Sequence, residues 1–399
     1  MSLSRKVCDA LFDYQTLKIV NIGDKKIGLL HRIIQLLILG YILGFVIIFK
    51  RGYQQFSTYN SVTTAKVKGV VSTLDYRDED FVKSVAYPAA YRRIWDVSDL
   101  VVPPSEPDAF FVTTNLIITE QVTARCPEEL MKDSTCESDS DCEDGRTLLL
   151  GHGSQTGSCV AADHPTAHQG VCEIRGWCPV EYDEGPLKGN QALLSGVQNF
   201  TVLLKNYIEF PTFRLKLRNI ADSQNRSYLQ TCVYNPDTHP HCPKFRLGDI
   251  INATGHTFNS IAAKGGVVHI VITWNCNFDR HIRYCVPRYD FSRIDDSRAQ
   301  LGRGWNFRHS HYHNATQRTL FKAYGITFRV AVSARGGKLN LLPLAINIGS
   351  GLGLLAVAKV VCDFVVLYCH SNRELYKQHK VRFVEKGGRK RRATISITV

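Results

Sequence analysis

Two stretches interrupt the ordinary mixing of polar and apolar positions along this chain. Residues 33–49, extending back toward Leu29, and residues 339–358, continuing less purely to Cys369, are almost free of charge. Each approaches or exceeds the roughly 20 residues a helix needs to cross a ~30 Å hydrocarbon core. The first run follows a charged segment and lacks a small-x-small cleavage pattern, so it is predicted to be a retained span and not a signal peptide. Between the runs the pattern shortens. Residues 108–121, 200–210, 267–274 and 324–332 are rich in Val, Ile, Thr, Phe and Tyr with period-two stretches, which predicts strands. Residues 126–178 are dense in Cys, Gly, Ser and Asp and predict a small disulfide-stapled lobe on a larger β body.

Cutting the chain at the spans makes its charge informative. Of the net +13, residues 1–32 carry six basic and three acidic groups and residues 370–399 carry nine and two, so the tails hold +10. Basic flanks favour the cytoplasmic side, which predicts both termini inside and a plasma-membrane, multi-pass protein embedded in the lipid bilayer. The middle is nearly neutral, so nucleic acid is not suggested as a partner. The segments are then a cytoplasmic N-terminal segment (1–28), a first span (29–50), an extracellular domain (51–338), a second span (339–369) and a basic tail (370–399).

Cysteine usage agrees with that topology independently of charge. Ten of the 13 cysteines, Cys126, Cys136, Cys142, Cys159, Cys172, Cys178, Cys232, Cys242, Cys276 and Cys285, lie between the spans. An even number in an exported region reads as disulfides, and no C-x-x-C pair points to zinc. Cys232 with Cys242 and Cys276 with Cys285 close short loops; the other six leave 15 connectivities open by counting. The four N-x-S/T sequons, at Asn199, Asn225, Asn252 and Asn314, fall in the same region and are expected to be glycosylated.

Candidate chemistry begins with Lys66 and Lys68, whose alternation on a strand projects both ammonium groups from one face. Asn306-Phe307-Arg308 repeats the alternation downstream, and Lys322 approaches another predicted strand. Gathered together without compensating carboxylates, four cations would repel one another unless an anion filled the space. A polyphosphate suits Arg as a bidentate partner and Lys as a point charge. No P-loop or Rossmann glycine pattern is present, so side chains on strands would do the binding.

These residues carry a resemblance. Tyr14-x-Thr16-x-Lys18, Lys66-Val67-Lys68-Gly69, Asn199-Phe200-Thr201, the ten cysteines, Asn306-Phe307-Arg308, Lys322-Ala323-Tyr324-Gly325 and Tyr376-x-x-x-Lys380 stand in an order and spacing similar to the P2X family of ATP-gated purinergic receptor cation channels. The resemblance runs from Tyr14 to about Val384. It implies a membrane protein with two transmembrane α-helices and a large disulfide-rich, mainly β extracellular domain, assembled as a homotrimer, with other subunits of the family as further partners.

The resemblance further implies ATP at three subunit interfaces, with Lys66, Lys68 and Thr201 from one subunit and Asn306, Arg308 and Lys322 from its neighbour. Leu203 and Leu229 occupy positions near the ribose and base. Lys244 departs from the apolar residue common there, which affects base packing and nucleotide selectivity. The implied disulfides are Cys126–Cys178, Cys136–Cys159 and Cys142–Cys172 plus the two local bridges, with Cys8, Cys362 and Cys369 free. The second span resembles the pore helix, with Ile346, Ser350, Gly353 and Leu354 as the gate by position. Lys359 in that span is expected to pair with Asp363 or to reach the cytoplasmic headgroups.

No catalytic residue and no required cofactor is expected, since ATP acts as agonist and its binding alone opens the pore to sodium, potassium and calcium. Zinc or another divalent cation is a candidate modulator. His309, His311 and His313 alternate beside Arg308, and Glu106 resembles a carboxylate near the family's threefold axis. Two rival readings exist. An ecto-nucleotidase needs carboxylates to hold magnesium, and none adjoins the Lys and Arg motifs in sequence. A proton-gated or epithelial-type sodium channel shares the two spans and a Gly349-Ser350-Gly351 run but leaves the cationic motifs unexplained. In the tails, Thr16 is a candidate phosphorylation site, 386–392 a lipid-contacting run and 397–399 a PDZ-type end.

Overall fold

A computed structural model describes residues 24–380, apart from 105, 164–168, 221–225, 297, 299–301, 303 and 372. Cys8, the Thr16 motif, Asn225, the basic run at 386–392 and the C-terminal residues 397–399 lie outside the described residues. The chain divides into two compact units, Phe56–Gly337 and the flanking segments through Gln55 and from Lys338 onward.

In the flanking unit, helix α1 (Lys25–Gly40) continues through π-helical turns over Tyr41–Phe49. It starts four residues before the expected 29 because Asp24 caps it, its carboxylate accepting from the Lys26 amide at 2.8 Å; hydropathy does not register caps. Among the described residues, two helices are apolar and long enough to cross a membrane, Lys25–Phe49 and Leu341–Cys369. The second begins at Leu341 and not at 339, since the Asn340 side chain accepts from the Leu342 amide as N-cap. Gly351 is buried against the first helix, where an added Cβ would stand 2.9 Å from Ile42. Ala358 and Cys362 are buried at helical spacing from it. Ile346, Ser350, Gly353 and Leu354 are exposed. Cys362 and Cys369 are free thiols.

The extracellular unit is built on strands β1 (Asn60–Lys68), β2 (Ala109–Pro127), β3 (Gly153–Ala161), β4 (Gly170–Cys178), β5 (Thr201–Phe210), β6 (Leu215–Arg218), β7 (Lys244–Arg246), β8 (Gly266–Asn277), β9 (Arg288–Arg293), β10 (Asn306–Asn314) and β11 (Gln317–Leu339). A short helix α2 (Leu247–Ala253) follows β7. The larger sheet runs β9-β8-β11-β2-β4, with β10 also on β11 and β3 on β4; the smaller joins β1, β6 and β7 to β5. Every strand expected from period two is present; three are longer than their apolar runs because ladder pairing carries them into polar sequence, whereas Thr201–Phe210 keeps nearly its expected bounds.

Trp274, Phe200, Phe210, Phe245 and Phe328 are fully buried in one core. A buried amide network fixes β1 and β5 to it: the Trp274 indole donates to Asn206 Oδ1 at 2.8 Å, and Asn206 Nδ2 donates to Ser61 Oγ at 2.9 Å. Every member has a partner, which specifies the register of the strands that carry Lys66 and Lys68.

The cysteine-rich lobe is not a separate body. Residues Val122–Pro127 of β2 pair with β4, so the lobe extends the larger sheet. Its own core is Cys136, Cys142 and Cys172 with Cys159 against them, too small to hold without covalent staples. The five disulfides are Cys126–Cys178, Cys136–Cys159, Cys142–Cys172, Cys232–Cys242 and Cys276–Cys285. Three lobe sulfurs, of Cys136, Cys142 and Cys159, lie within 4.8 Å of one another, yet all are oxidised and none is a thiolate ligand.

Candidate functional site: two cationic groups

The first group stands on the smaller sheet. Lys66 lies opposite Leu203 and Lys68 opposite Thr201 across β1 and β5, while Lys244 and Arg246 of β7 lie opposite the same Leu203 and Thr201. Directly paired residues share a face, so Lys66, Lys68, Thr201, Leu203, Lys244 and Arg246 form one outward surface. The intervening Val67, Val202, Leu204 and Phe245 pack into the core. Gly69 gives its place to the Phe200 ring, which a Cβ there would overlap; this brings the Lys66–Gly69 and Asn199–Thr201 motifs together. Lys66 and Lys68 are exposed and have no ion-pair partner among the described residues. The Lys244 ammonium donates to the Gln230 carbonyl at 2.8 Å, so its charge serves the helical turn Arg226–Thr231 that carries Leu229.

The second group stands on the larger sheet. Arg308 of β10 lies opposite Lys322 of β11, and Asn306 opposite Tyr324. Here the expectation of uncompensated cations fails. Glu181 accepts a two-pronged bond from Arg308, Nε and Nη2 each at 2.9 Å, and meets the Lys322 ammonium at 2.9 Å. Asp183 accepts from Lys322 at 2.8 Å, meets Lys264 at 3.6 Å and takes the Tyr324 hydroxyl. The side chains of Lys322 and Glu181 are 5% and 6% exposed, so these charges persist only because they neutralise one another.

The proton affinities follow. Burial alone would raise the Glu181 carboxyl, but the Arg308 and Lys322 bonds together outweigh it and hold it below the usual carboxylate range. Burial would likewise lower Lys322, yet Asp183 and Glu181 carry it above its ordinary value. Burial, helped by Asp183, pushes the Tyr324 phenol up to about 12. Glu181 and Asp183 were not anticipated: they lie 127 and 139 residues from Arg308 and Lys322. Their signal was the acidic run Glu181-Tyr182-Asp183-Glu184 after Cys178, in a region whose charges nearly balance. The premise that no carboxylate adjoins the cationic motifs is therefore corrected. Among the described residues, no hydrogen bond or ion pair joins the Lys66/Lys68 group to the Arg308/Lys322 group within one chain.

The remaining candidates occupy separate places. On β10 alternation puts Arg308 on one face and the three histidines on the other, so they do not flank it as expected. His309 stacks on Phe321 with ring centroids 4.9 Å apart, and burial lowers its proton affinity. His311 and His313 meet edge to face at 5.3 Å, and His313 Nε2 bonds the Thr319 hydroxyl at 2.8 Å. The three imidazoles do not converge on one point. Glu106 is exposed and bridges to Ala109. Asn199, Asn252 and Asn314 are exposed. A further histidine, His152, was missed: its Nδ1 lies 2.8 Å from the buried Glu128 carboxylate, which holds its proton affinity above the usual value.

Comparison with known proteins agrees with this architecture. The family model described as ATP P2X receptor matches residues 12–383. The chain is 42% identical to P2X purinoceptor 4 of Bos taurus over 382 residues, 94% of each protein. It is 39% identical to P2X purinoceptor 5 of Homo sapiens, over 94% of this chain and 82% of the relative. Among solved structures, an invertebrate P2X receptor from the Gulf Coast tick, crystallised with ATP and Zn2+, superposes with a TM-score of 0.81 at 53% identity, covering 84% of this chain and all of that one. The chicken ATP-gated P2X7 receptor channel with the competitive antagonist TNP-ATP gives 0.70 at 35% identity, covering 85% and 99%. A match over nearly the whole length, in sequence and in fold, places this chain in the P2X receptor family.

Proposed function

We propose that this chain is a subunit of an extracellular-ATP-gated, non-selective cation channel, and that ATP sits between the Lys66/Lys68/Thr201 face of one subunit and the Asn306/Arg308/Lys322 face of the next. The observation that carries this reading is the complementarity of the two groups. One presents Lys66 and Lys68 with no ion-pair partner among the described residues; the other is a cation cluster already neutralised. A trimer that apposes them gives each interface both halves, with Leu203 and Leu229 beside the ribose and base. The polyphosphate supplies the missing anion of the first half and competes with Glu181 and Asp183 in the second.

Binding that is tighter in the apposed arrangement shifts the equilibrium toward it. Because β11 runs in sequence into the second span, closure at the interface is transmitted to the pore helices, where Ile346, Ser350, Gly353 and Leu354 face the axis and form the gate. Hydrolysis is not required, since binding free energy alone does this work. Glu181 and Asp183 are engaged by Arg and Lys, which leaves them poorly placed to hold a catalytic metal. In this reading both termini are cytoplasmic, the protein resides in the plasma membrane, and the exposed sequons carry glycans. Three symmetry-related Glu106 carboxylates form the divalent modulatory site ahead of the dispersed histidines; zinc titration of currents in Glu106→Ala and His311→Ala decides between them.

The test is whole-cell current at negative holding potential while ATP is applied to cells expressing the chain. A rapid inward current in the wild type that is lost in Lys68→Ala supports the reading. Current evoked by acid without ATP, or phosphate release without current, would favour the proton-gated channel or the ecto-nucleotidase.

A further inference from the structure

Beside the Arg246 end of the first cationic face, edge strands of both sheets line one cavity of about 470 Å³. Phe245 comes from β7, Tyr289 and Phe291 from β9, and Tyr234 from the loop beyond Cys232. Tyr234 packs on the other three with ring centroids 4.8, 5.5 and 5.9 Å away, and Phe245 lies 4.8 Å from Tyr289. Phe245 and Tyr289 are buried and tie the cluster to the core, whereas Tyr234 and Phe291 are half-buried and leave ring surface toward the cavity. The volume falls in the range of small-molecule sites, and the lining mixes polar groups with aromatic rings whose faces carry negative potential.

The charges around this cavity are unequal. Arg246 is satisfied by Asp249, its Nη2 and Nε lying 2.9 and 3.2 Å from Oδ1. Asp290 alternates with Tyr289 and Phe291 on the edge strand β9, so it stands exposed at the rim of the cavity, and its side chain has no hydrogen-bond or ion-pair partner among the described residues. The Tyr234 hydroxyl also lacks a hydrogen-bond partner among them. Burial, with the Asp290 charge second, raises the Tyr234 phenol, which keeps it a neutral donor. An anion entering here would meet two carboxylates and one arginine already engaged. A cation would meet an unpaired carboxylate and the faces of aromatic rings, both attractive.

We infer that this cavity binds a small organic cation, an ammonium group on an apolar or aromatic body, with the body against Tyr234 and Phe291 and the ammonium at Asp290. The site adjoins the first cationic face through Arg246, but the inference does not depend on the nucleotide reading.

Saturation-transfer NMR of the detergent-solubilised full-length protein tests this, with 2-phenylethylammonium as probe and 2-phenylethanol as its neutral counterpart. The ammonium should bind saturably and about tenfold more tightly than the alcohol, and Asp290→Asn should erase that tenfold preference. Ala253→Trp, which fills the cavity from an exposed position on α2, should abolish binding of both. Absence of binding to the wild type, equal binding of alcohol and ammonium, or ammonium binding that survives both substitutions would each overturn the inference. ATP-evoked current in Asp290→Asn reports on the nucleotide site separately, so the two readings fail independently.

Discussion

The two cationic groups of this chain use similar side chains in opposite states. Lys66 and Lys68 stand exposed on an alternating strand with their charges open, whereas Arg308 and Lys322 are held by Glu181 and Asp183, with Lys322 withdrawn from solvent. The first arrangement costs little to maintain, because water solvates each ammonium. The second depends on its carboxylates, since an unpaired charge at that depth is penalised heavily. At the proposed interface a phosphate chain would therefore meet a vacant partner on one side and an occupied one on the other. Affinity on the vacant side comes from new charge-assisted bonds; on the occupied side it is the difference between phosphate and carboxylate as partners.

Substitutions should separate the two. The largest effect on ATP response is expected for Lys68→Ala, a loss of sensitivity on the order of a hundredfold with normal surface delivery, since the side chain supports nothing else in the fold. Concentration–response curves beside surface biotinylation check this. Lys322→Ala should instead damage folding as well as response. It strands Glu181 and Asp183 with fewer partners and costs about 3 kcal/mol, seen as a lowered unfolding temperature that Lys68→Ala does not share. Glu181→Gln removes the competing charge and should move the ATP curve to lower concentrations by about threefold to tenfold. An unchanged curve would mean that the carboxylate stays paired in the liganded state.

The smallest effect concerns pH and the lobe. His152 gains a partner in Glu128, so its folded proton affinity exceeds the unfolded value. Its contribution to stability is full below the unfolded pKa and is lost as pH rises through the raised folded value. Thermal unfolding between mildly acidic and mildly alkaline pH should show a downward drift with rising pH that His152→Gln flattens.

Much of this was legible in sequence because it is written in periods and counts. The spans show as apolar runs, the exported domain as ten cysteines and four sequons, and the Lys66/Lys68 face as strict alternation that the β1–β5 register keeps. Glu181 and Asp183 were not legible, because they lie on an irregular segment and reach Arg308 and Lys322 only through the sheet order that brings distant strands together. Alternation also limited the histidine reading: the same period that aligns His309, His311 and His313 places them on the face opposite Arg308. The aromatic cavity draws on two sheets and a loop, and no local pattern marks it.

The central claim is that one ATP needs both groups and that they come from different subunits. Co-expression of Lys68→Ala chains with Arg308→Ala chains tests it most directly. Each variant alone lacks one half at every interface, but a mixed trimer contains one interface with an intact Lys68 facing an intact Arg308. The account predicts little ATP-evoked current from either variant alone and recovered current from the mixture. A mixture that stays silent, with mixed trimers shown at the surface and wild-type chains conducting, would contradict it.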